Sequence, residues 1–147
     1  MCEFDKYNEF EIEDNRIMKY FGNGGDVVIP EGIVDIFFEV FENHYQITSV
    51  IIPGTITDIT PSAFDNCTNL EKAILHEGVL VLGFFSFQNC TALKSIFLPK
   101  SLTCIEKGTF KGCNQLTIYY AGSKEEWEKI EAEDDLSNIN IVFNSTL

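Results

Sequence analysis

Cysteine and histidine are the residues of this chain that could bind a metal or act as nucleophiles, and several of them recur at a fixed interval. Cys67, Cys90 and Cys113 follow one another in steps of 23 residues, and His44 lies one step earlier. Clustered thiolates and imidazoles can bind zinc, and a thiolate beside an imidazole can act as a nucleophile. Zinc ligands usually come in close pairs such as Cys-x-x-Cys, however, and this interval provides none.

The alternative interpretation is that these side chains fill equivalent buried positions of a repeat, where cysteine behaves as a small apolar residue. The odd total of five Cys also argues against a disulfide framework. We expect His76 to be a solvated surface residue, and no Ser-His-Asp or Cys-His pair has a definable geometry. The sequence therefore predicts no enzyme, no metal site and no cofactor, and a thiol enzyme or metal-binding protein remains the competing class.

The interval of 23 residues also governs the apolar residues. Counted from Pro53, it leads to Pro30, His76 and Pro99. Apolar residues lie one before and three, six and seventeen after each of these four origins. A phenylalanine lies eleven after each origin, at Phe41, Phe64, Phe87 and Phe110. A fixed period of this length indicates a solenoid.

Each repeat is expected to form a short strand that ends at its origin, because proline cannot donate to the ladder. The residues one and three before the origin should point inward, and coils should stack about 4.8 Å apart into a parallel sheet. Thr60 to Phe64 predicts a short helical turn with Thr60 as its cap. The four phenylalanines should stack as an interior ladder.

The ends of the chain depart from the repeat and predict caps on a single domain, 1–147. Residues 10–20 predict a β-hairpin that turns at Asp14-Asn15. After Leu116 the repeat runs one residue short, and Ser123 begins a capping box for a helix over about 124–133. A final short strand is expected over 140–143. We assign an N-terminal cap, the repeats and a C-terminal cap to 8–25, 26–116 and 117–147.

Two of the repeats carry a family resemblance. They read LEKAILHEGVLVLGFFSFQNCTAL and LKSIFLPKSLTCIEKGTFKGCNQL, and the tail reads IYYAGSKEEWEKI. This pattern resembles Treponema-type, or BspA-like, leucine-rich repeats, and the resemblance covers about 26–143. It implies a mostly β solenoid with short helical turns. It also implies an interaction or surface module with no common chemistry. The first copy departs from the pattern at Phe37, Phe38, Val40 and His44.

Acidic residues are concentrated at the two ends. Residues 1–43 hold eleven acids and three bases, 44–123 hold five of each, and 124–147 hold seven acids and two bases. The net charge of −13 disfavours nucleic acid and anionic membranes as partners. No apolar stretch approaches a membrane span, so no membrane insertion is expected. The first residues lack the features of a signal peptide, which predicts a cytoplasmic protein, or a secreted or surface protein if a leader is missing.

Side chains two residues before each origin should point away from the coil interior. Continuing the 23-residue step, this predicted stripe consists of Val28, Ile51, Ile74, Phe97 and Tyr120. A solvated sheet does not require apolar residues there, so the stripe is a candidate partner-binding or self-association surface. Two alternatives stay open: the preference of such residues for strands, and cover by a neighbouring element. The hypothesis is a non-enzymatic protein-interaction module, with a secreted or cell-surface adhesin-like module as an alternative.

Overall fold

The computed structural model describes residues 9–147 and shows a stack of β-coils with a hairpin at one end and a short tail at the other. The strands are β1 Phe10–Glu13, β2 Arg16–Tyr20, β3 Gly25–Val28, β4 Asp35–Ile36, β5 Ile47–Ile52, β6 Asp58–Ile59, β7 Lys72–Leu75, β8 Val81–Leu82, β9 Ser95–Leu98, β10 Cys104–Ile105, β11 Thr117–Tyr120, β12 Glu131–Ala132 and β13 Asn140–Val142. A helix, α1, spans Lys124–Trp127.

The strands form three sheets. The large sheet has six parallel strands in the order β13-β11-β9-β7-β5-β3. The small sheet has four, in the order β12-β10-β8-β6, and a third sheet joins β1, β2 and β4. Every strand of the large sheet pairs with the equivalent strand of the next coil, for example Val50 with Ala73 and Ile51 with Ile74. The solenoid predicted from the 23-residue period is therefore confirmed.

The predicted inward residues fill the space between the large and small sheets. From the large sheet they are the residues one and three before each origin, and all are buried: Val27, Ile29, Val50, Ile52, Ala73, Leu75, Ile96 and Leu98. From the opposite side they are the residues three and six after each origin, also buried: Ile33, Ile36, Ile56, Ile59, Val79, Leu82, Leu102 and Ile105. No single coil could bury these faces, so neighbouring coils stabilise one another.

The phenylalanine ladder is present. Phe41, Phe64, Phe87 and Phe110 have ring centroids 5.2, 5.3 and 6.3 Å apart and are nearly parallel. The segment before Phe64 is a hydrogen-bonded turn rather than a helix, since Ser62 has a φ of 59°. Thr60 does not cap it. Its hydroxyl donates to the carbonyl of Ile36 in the preceding coil, at 2.7 Å, and so joins two coils.

The N-terminal hairpin covers one end of the stack. β1 and β2 pair antiparallel, and Asp14 and Asn15 have φ of 49° and 61°, which confirms the predicted turn. β2 then pairs in parallel with β4 of the first coil. The rings of Phe10 and Tyr20 lie 6.4 and 5.2 Å from Phe41, so the hairpin extends the aromatic core outward.

The C-terminal tail differs from the prediction in one element. Ser123 forms the expected capping box, accepting from the amide of Glu126 at 3.1 Å and donating its own amide to the Glu126 carboxylate at 3.2 Å. The predicted helix over 124–133 is wrong in length, because α1 ends at Trp127 and residues Glu131–Ala132 pair with β10 as β12. Strand pairing there continues the small sheet, which a longer helix would prevent.

The predicted outward position of Tyr120 is also wrong. Tyr120 pairs with Leu98 and is 1% exposed, whereas Tyr119 pairs with Phe97. The physical reason is the missing residue after Leu116. It shifts the strand register by one, and a shift of one residue exchanges the two faces of a strand. Trp127 then packs edge-on against the Tyr120 ring at 5.2 Å.

Candidate functional site

The outer face of the large sheet carries a continuous column of apolar side chains, one from each strand. Strand pairing aligns its six members, Val28, Ile51, Ile74, Phe97, Tyr119 and Val142, which we call the outer column. Val28 and Val142 at its ends are 49% and 40% exposed, and the four between them are half-buried by their neighbours. The column thus keeps four of the five residues of the predicted stripe.

The aromatic end of the outer column is ordered by stacking. The rings of Phe97 and Tyr119 lie 4.8 Å apart and 13° from parallel. The ammonium group of Lys72 lies 5.4 Å from the centre of the Phe97 ring, a cation–π distance. The two rings form a stacked aromatic pair on the outer face, and aromatic residues are frequent anchors of protein interfaces.

A polar column borders the outer column on one side. It contains Asp26, Ser49, Lys72, Ser95, Thr117 and Asn140, which pair in the same register. The Ser49 hydroxyl donates to the Asp26 carboxylate at 2.6 Å. On this side the sheet has the polar surface expected of a solvated face, so the apolar character of the outer column is local to that column.

An open groove borders the other side of the outer column, at the carboxyl ends of the strands. It encloses about 800 Å³, and we call it the edge groove. Phe97 and Tyr119 contribute to its lining together with the apolar residues Leu75, Leu98, Pro99 and Ala121. The side chains in its lining that carry or can carry charge are Glu31, His76 and Glu77, and residues 145–147 also line it.

Two coils approach each other closely at Gly54, a residue of the edge-groove lining. Glu31 and Glu77 occupy the same position in the first and third coils, and Gly54 occupies it in the second. A Cβ atom at Gly54 would overlap the carbonyl oxygen of Glu77. The second and third coils therefore approach closely at this point, and the residue between Glu31 and Glu77 in the coil order has no side chain.

The three repeat cysteines are interior residues of the solenoid. Each thiol donates to a carbonyl of the preceding coil, Cys67 to Phe41 at 3.1 Å, Cys90 to Phe64 at 3.2 Å and Cys113 to Phe87 at 3.1 Å. Burial raises the pKa of Cys67 to about 12. The pKa of Cys90 is also raised, by its hydrogen bond with Cys113 and by burial. The thiolate, which is the nucleophile and metal ligand, is therefore disfavoured at Cys67 and Cys90.

The histidines do not complete a catalytic pair with these thiols. His44 packs edge-on against Tyr20 at 4.8 Å, and burial lowers its pKa, so the neutral imidazole is favoured. His76 is part of the edge groove. Within residues 9–147, the structure has no cluster of three or more His, Cys, Asp or Glu placed to hold a metal ion.

A second apolar surface lies on the turns beyond the small sheet. Phe37 and Phe38 are 44% and 64% exposed and touch edge-on at 5.5 Å. Phe84 and Phe85, two coils further on, are 40% and 36% exposed. Pro61, also exposed, occupies the position of Phe38 and Phe84 in the coil between them.

No helix in the part of the chain that the structure describes has the length and apolarity needed to cross a membrane.

Sequence reasoning missed Tyr119, Val142 and the edge groove. Tyr119 could have been found, because carrying the one-residue deletion after Leu116 through the repeat count leads to it. Val142 follows from Tyr119 only through the pairing of β13 with β11. The edge groove has no sequence signal, since its lining comes from four coils and the C-terminal residues.

Comparison with protein families gives one match over most of the chain. The model described as BspA type leucine rich repeat region matches residues 11–141, in six copies. A search of curated proteins found no significant match.

Comparison with solved structures gives several leucine-rich repeat proteins. A leucine rich cell surface protein from Faecalibacterium prausnitzii matches with a TM-score of 0.60 and 22% identity, over 86% of this chain and 41% of its own. A leucine-rich repeat protein from Bacteroides capillosus matches with a TM-score of 0.64 and 26% identity, over 76% of this chain and 91% of its own. A T. pallidum leucine rich repeat protein matches with a TM-score of 0.66 and 20% identity, over 95% of this chain and 81% of its own. This chain thus spans about two fifths of the Faecalibacterium protein.

Proposed function

Since the chain belongs to the family of BspA-type leucine-rich repeat proteins, we propose that it is a non-enzymatic protein-interaction module that uses the outer face of its large sheet. The observation that carries the proposal is the outer column. Solenoid stability depends on the inward residues, and the outer column contributes apolar surface that this interior does not need. An accessible apolar column is typical of a contact surface.

The size of the outer column fits a modest interface. Six strands spaced about 4.8 Å apart extend the column over roughly 24 Å. This length suits a transient or standard-sized contact rather than a large obligate one. Phe97 and Tyr119 are the expected anchors, because aromatic residues contribute much of the binding energy at interfaces. The partner is an unidentified protein or a second copy of the chain, and nucleic acid is disfavoured by the net charge of −13.

A cell-surface, adhesin-like role is the second candidate. The observation that favours it is the similarity to the Faecalibacterium protein, whose description is a leucine rich cell surface protein. The same outer face would then bind a protein outside the cell. A cytoplasmic location is the alternative, and fractionation of cells that express the native gene would decide between them.

A thiol enzyme is the disfavoured class. Cys67, Cys90 and Cys113 are buried, and the pKa values of Cys67 and Cys90 are raised above that of a free thiol. Their side chains hydrogen-bond to backbone carbonyls inside the coil. Metal analysis of the pure protein is the direct check on the metal-binding alternative.

The test of the proposed function is a double charge substitution on the outer column, Ile74→Glu with Phe97→Glu. Neither side chain fills the interior, so we expect the variant to fold, with an unchanged circular dichroism spectrum. We expect it to lose self-association in sedimentation velocity and to lose the proteins that the wild type captures from an extract of its native host.

The matched control is Leu80→Glu with Phe84→Glu, which adds the same charge on the other side of the molecule at residues 39% and 40% exposed. It should behave as the wild type. Retention of every association by the outer-column variant contradicts the proposal. If only the control variant loses these associations, the contact lies on the second apolar surface.

A further inference from the structure

We propose that the edge groove binds a short peptide segment of a partner protein in which a lysine or arginine lies next to a large apolar residue. This inference rests on the proposed function, because the edge groove and the outer column share Phe97 and Tyr119. It adds to that function the chemistry of the partner.

The apolar lining of the edge groove indicates that the bound peptide has a large apolar residue. Leu75, Leu98, Pro99 and Ala121 line the space beside the stacked Phe97 and Tyr119 rings. A volume of about 800 Å³ lies in the usual range of ligand pockets, so it can take a large side chain and the backbone beside it. Removal of such a side chain from water is the main favourable contribution.

The acidic side chains of the edge groove indicate that the bound peptide also has a lysine or arginine. Glu31 and Glu77 are acidic side chains of the groove lining, and they belong to the coils before and after the one that contributes Gly54. A lysine or arginine in the groove can pair with a carboxylate of this lining, and such charge-assisted hydrogen bonds are about twice as strong as neutral ones. Among the described residues, no lysine or arginine lines the edge groove, and Lys72 lies over Phe97 on the opposite flank of the outer column.

The test begins with selection of random heptapeptides displayed on phage against the full-length folded chain. The selected peptides are expected to share a Lys or Arg next to Phe, Leu, Ile or Met. A synthetic fluorescent peptide with that consensus is then titrated by anisotropy. Substitution of its basic residue by Gln should weaken binding about tenfold or more, as should raised ionic strength, because both remove the charge contribution.

Two protein variants that lose the same charge at different places distinguish the effect of the groove carboxylates from the effect of the net charge. Glu31→Gln with Glu77→Gln should weaken binding of the consensus peptide about tenfold. Glu128→Gln with Glu133→Gln removes the same charge from exposed positions of the tail and should leave binding within about twofold of the wild type. Glu31→Lys with Glu77→Lys should reverse the preference toward peptides with Asp or Glu.

The outcomes distinguish the two proposals. Peptides that require Phe97 but carry no basic residue, or that bind the Glu31→Gln, Glu77→Gln variant as well as the wild type, overturn this inference and leave the proposed function standing. Failure to select any peptide that depends on the groove residues also overturns it. Retention of all protein associations by the Ile74→Glu, Phe97→Glu variant contradicts the proposed function itself.

Discussion

Phenylalanine at the eleventh position of each repeat is the residue on which coil stacking depends most directly. Phe64 and Phe87 are fully buried, and each is stacked between the equivalent rings of the two adjacent coils. A truncated side chain here leaves a cavity that two neighbouring rings cannot close, because the backbone ladder holds the coils at a fixed spacing.

We therefore expect Phe87→Ala to lower the free energy of unfolding by about 3 to 5 kcal/mol, as large aromatic truncations in a core do. Urea unfolding followed by circular dichroism measures the change. Phe38→Ala, at a side chain 64% exposed, is the control and should change it by less than about 0.5 kcal/mol. A loss below roughly 1 kcal/mol for Phe87→Ala would contradict an interior ladder.

The cysteines provide an independent residue-scale test of burial, because Cys104 differs from the other three. Cys67, Cys90 and Cys113 are buried, whereas Cys104 is partly exposed. The pKa of Cys104 is raised by desolvation and by the carboxylates of Glu106, Glu131 and Glu133. Cys2 lies outside the described residues, so the experiment uses a Cys2→Ser background.

In that background we expect a thiol-specific disulfide reagent to modify one cysteine, Cys104, in the folded protein and all four in denaturant. The rate at Cys104 should rise with pH. The pH at which the rate is half-maximal should lie above the pKa of a free cysteine, since only the thiolate reacts. Added salt should move that midpoint downward by screening the three carboxylates. Rapid modification of all four in the folded state would contradict the interior position of the repeat cysteines.

At the scale of elements, the C-terminal tail acts as an irregular coil placed on the last regular one. β12 pairs with β10 and β13 pairs with β11, so the tail continues both the small and the large sheet. Trp127 packs on Tyr120, and the Asp134 carboxylate accepts from the amide of Gly108 at 2.5 Å. The division of the chain into caps and repeats stays a prediction, which truncation tests.

Removal of residues 123–147 should expose the edges of β10 and β11 together with the ring of Tyr120. Unpaired strand edges recruit other chains, so we expect aggregation or loss of cooperative unfolding, measured by light scattering and thermal melts. Ser123→Ala is the control. It removes only the helix cap, at a cost of about 1 kcal/mol, and should keep the oligomeric state of the wild type. A soluble truncation that keeps this oligomeric state and unfolds cooperatively would show that the tail is dispensable.

At the scale of the whole molecule, acidic side chains greatly outnumber basic ones. The net charge is −13, and within residues 9–147 the structure has two ion pairs, Arg16 with Asp35 at 3.9 Å and Lys19 with Glu11 at 3.3 Å. Both are exposed and both lie at the N-terminal end. Most of the carboxylates therefore repel one another without compensation, which favours solubility and opposes compactness.

We expect stability to increase with salt, because screening weakens this repulsion. Between about 0.02 and about 0.5 M NaCl, the free energy of unfolding in urea should rise by a few tenths to about 1 kcal/mol, the usual scale of exposed charge interactions. The Glu128→Gln, Glu133→Gln variant should show a smaller rise. A fall in stability with salt would indicate that attractive pairs dominate.

The sequence by itself determined the solenoid, its inward residues and the hairpin and capping-box signals at its ends. It could do so because equal coils bury equal positions, so Phe64 and Phe87 or Val50 and Ala73 recur at one interval, and because turns and caps depend on local residues such as Asp14 and Ser123. Only the tertiary structure decided features that depend on contacts between distant segments.

These features are the pairing of the tail with the last coil and the groove beside it. Pairing of β13 with β11 placed Val142 on the outer face, and pairing of β12 with β10 ended α1 early. The edge groove brings Glu31, Glu77 and Tyr119 together from separate coils. A one-residue deletion can be counted in the sequence, but contacts between distant segments decide which strand the tail pairs with, and a shift of one residue in that pairing exchanges the two faces of a strand.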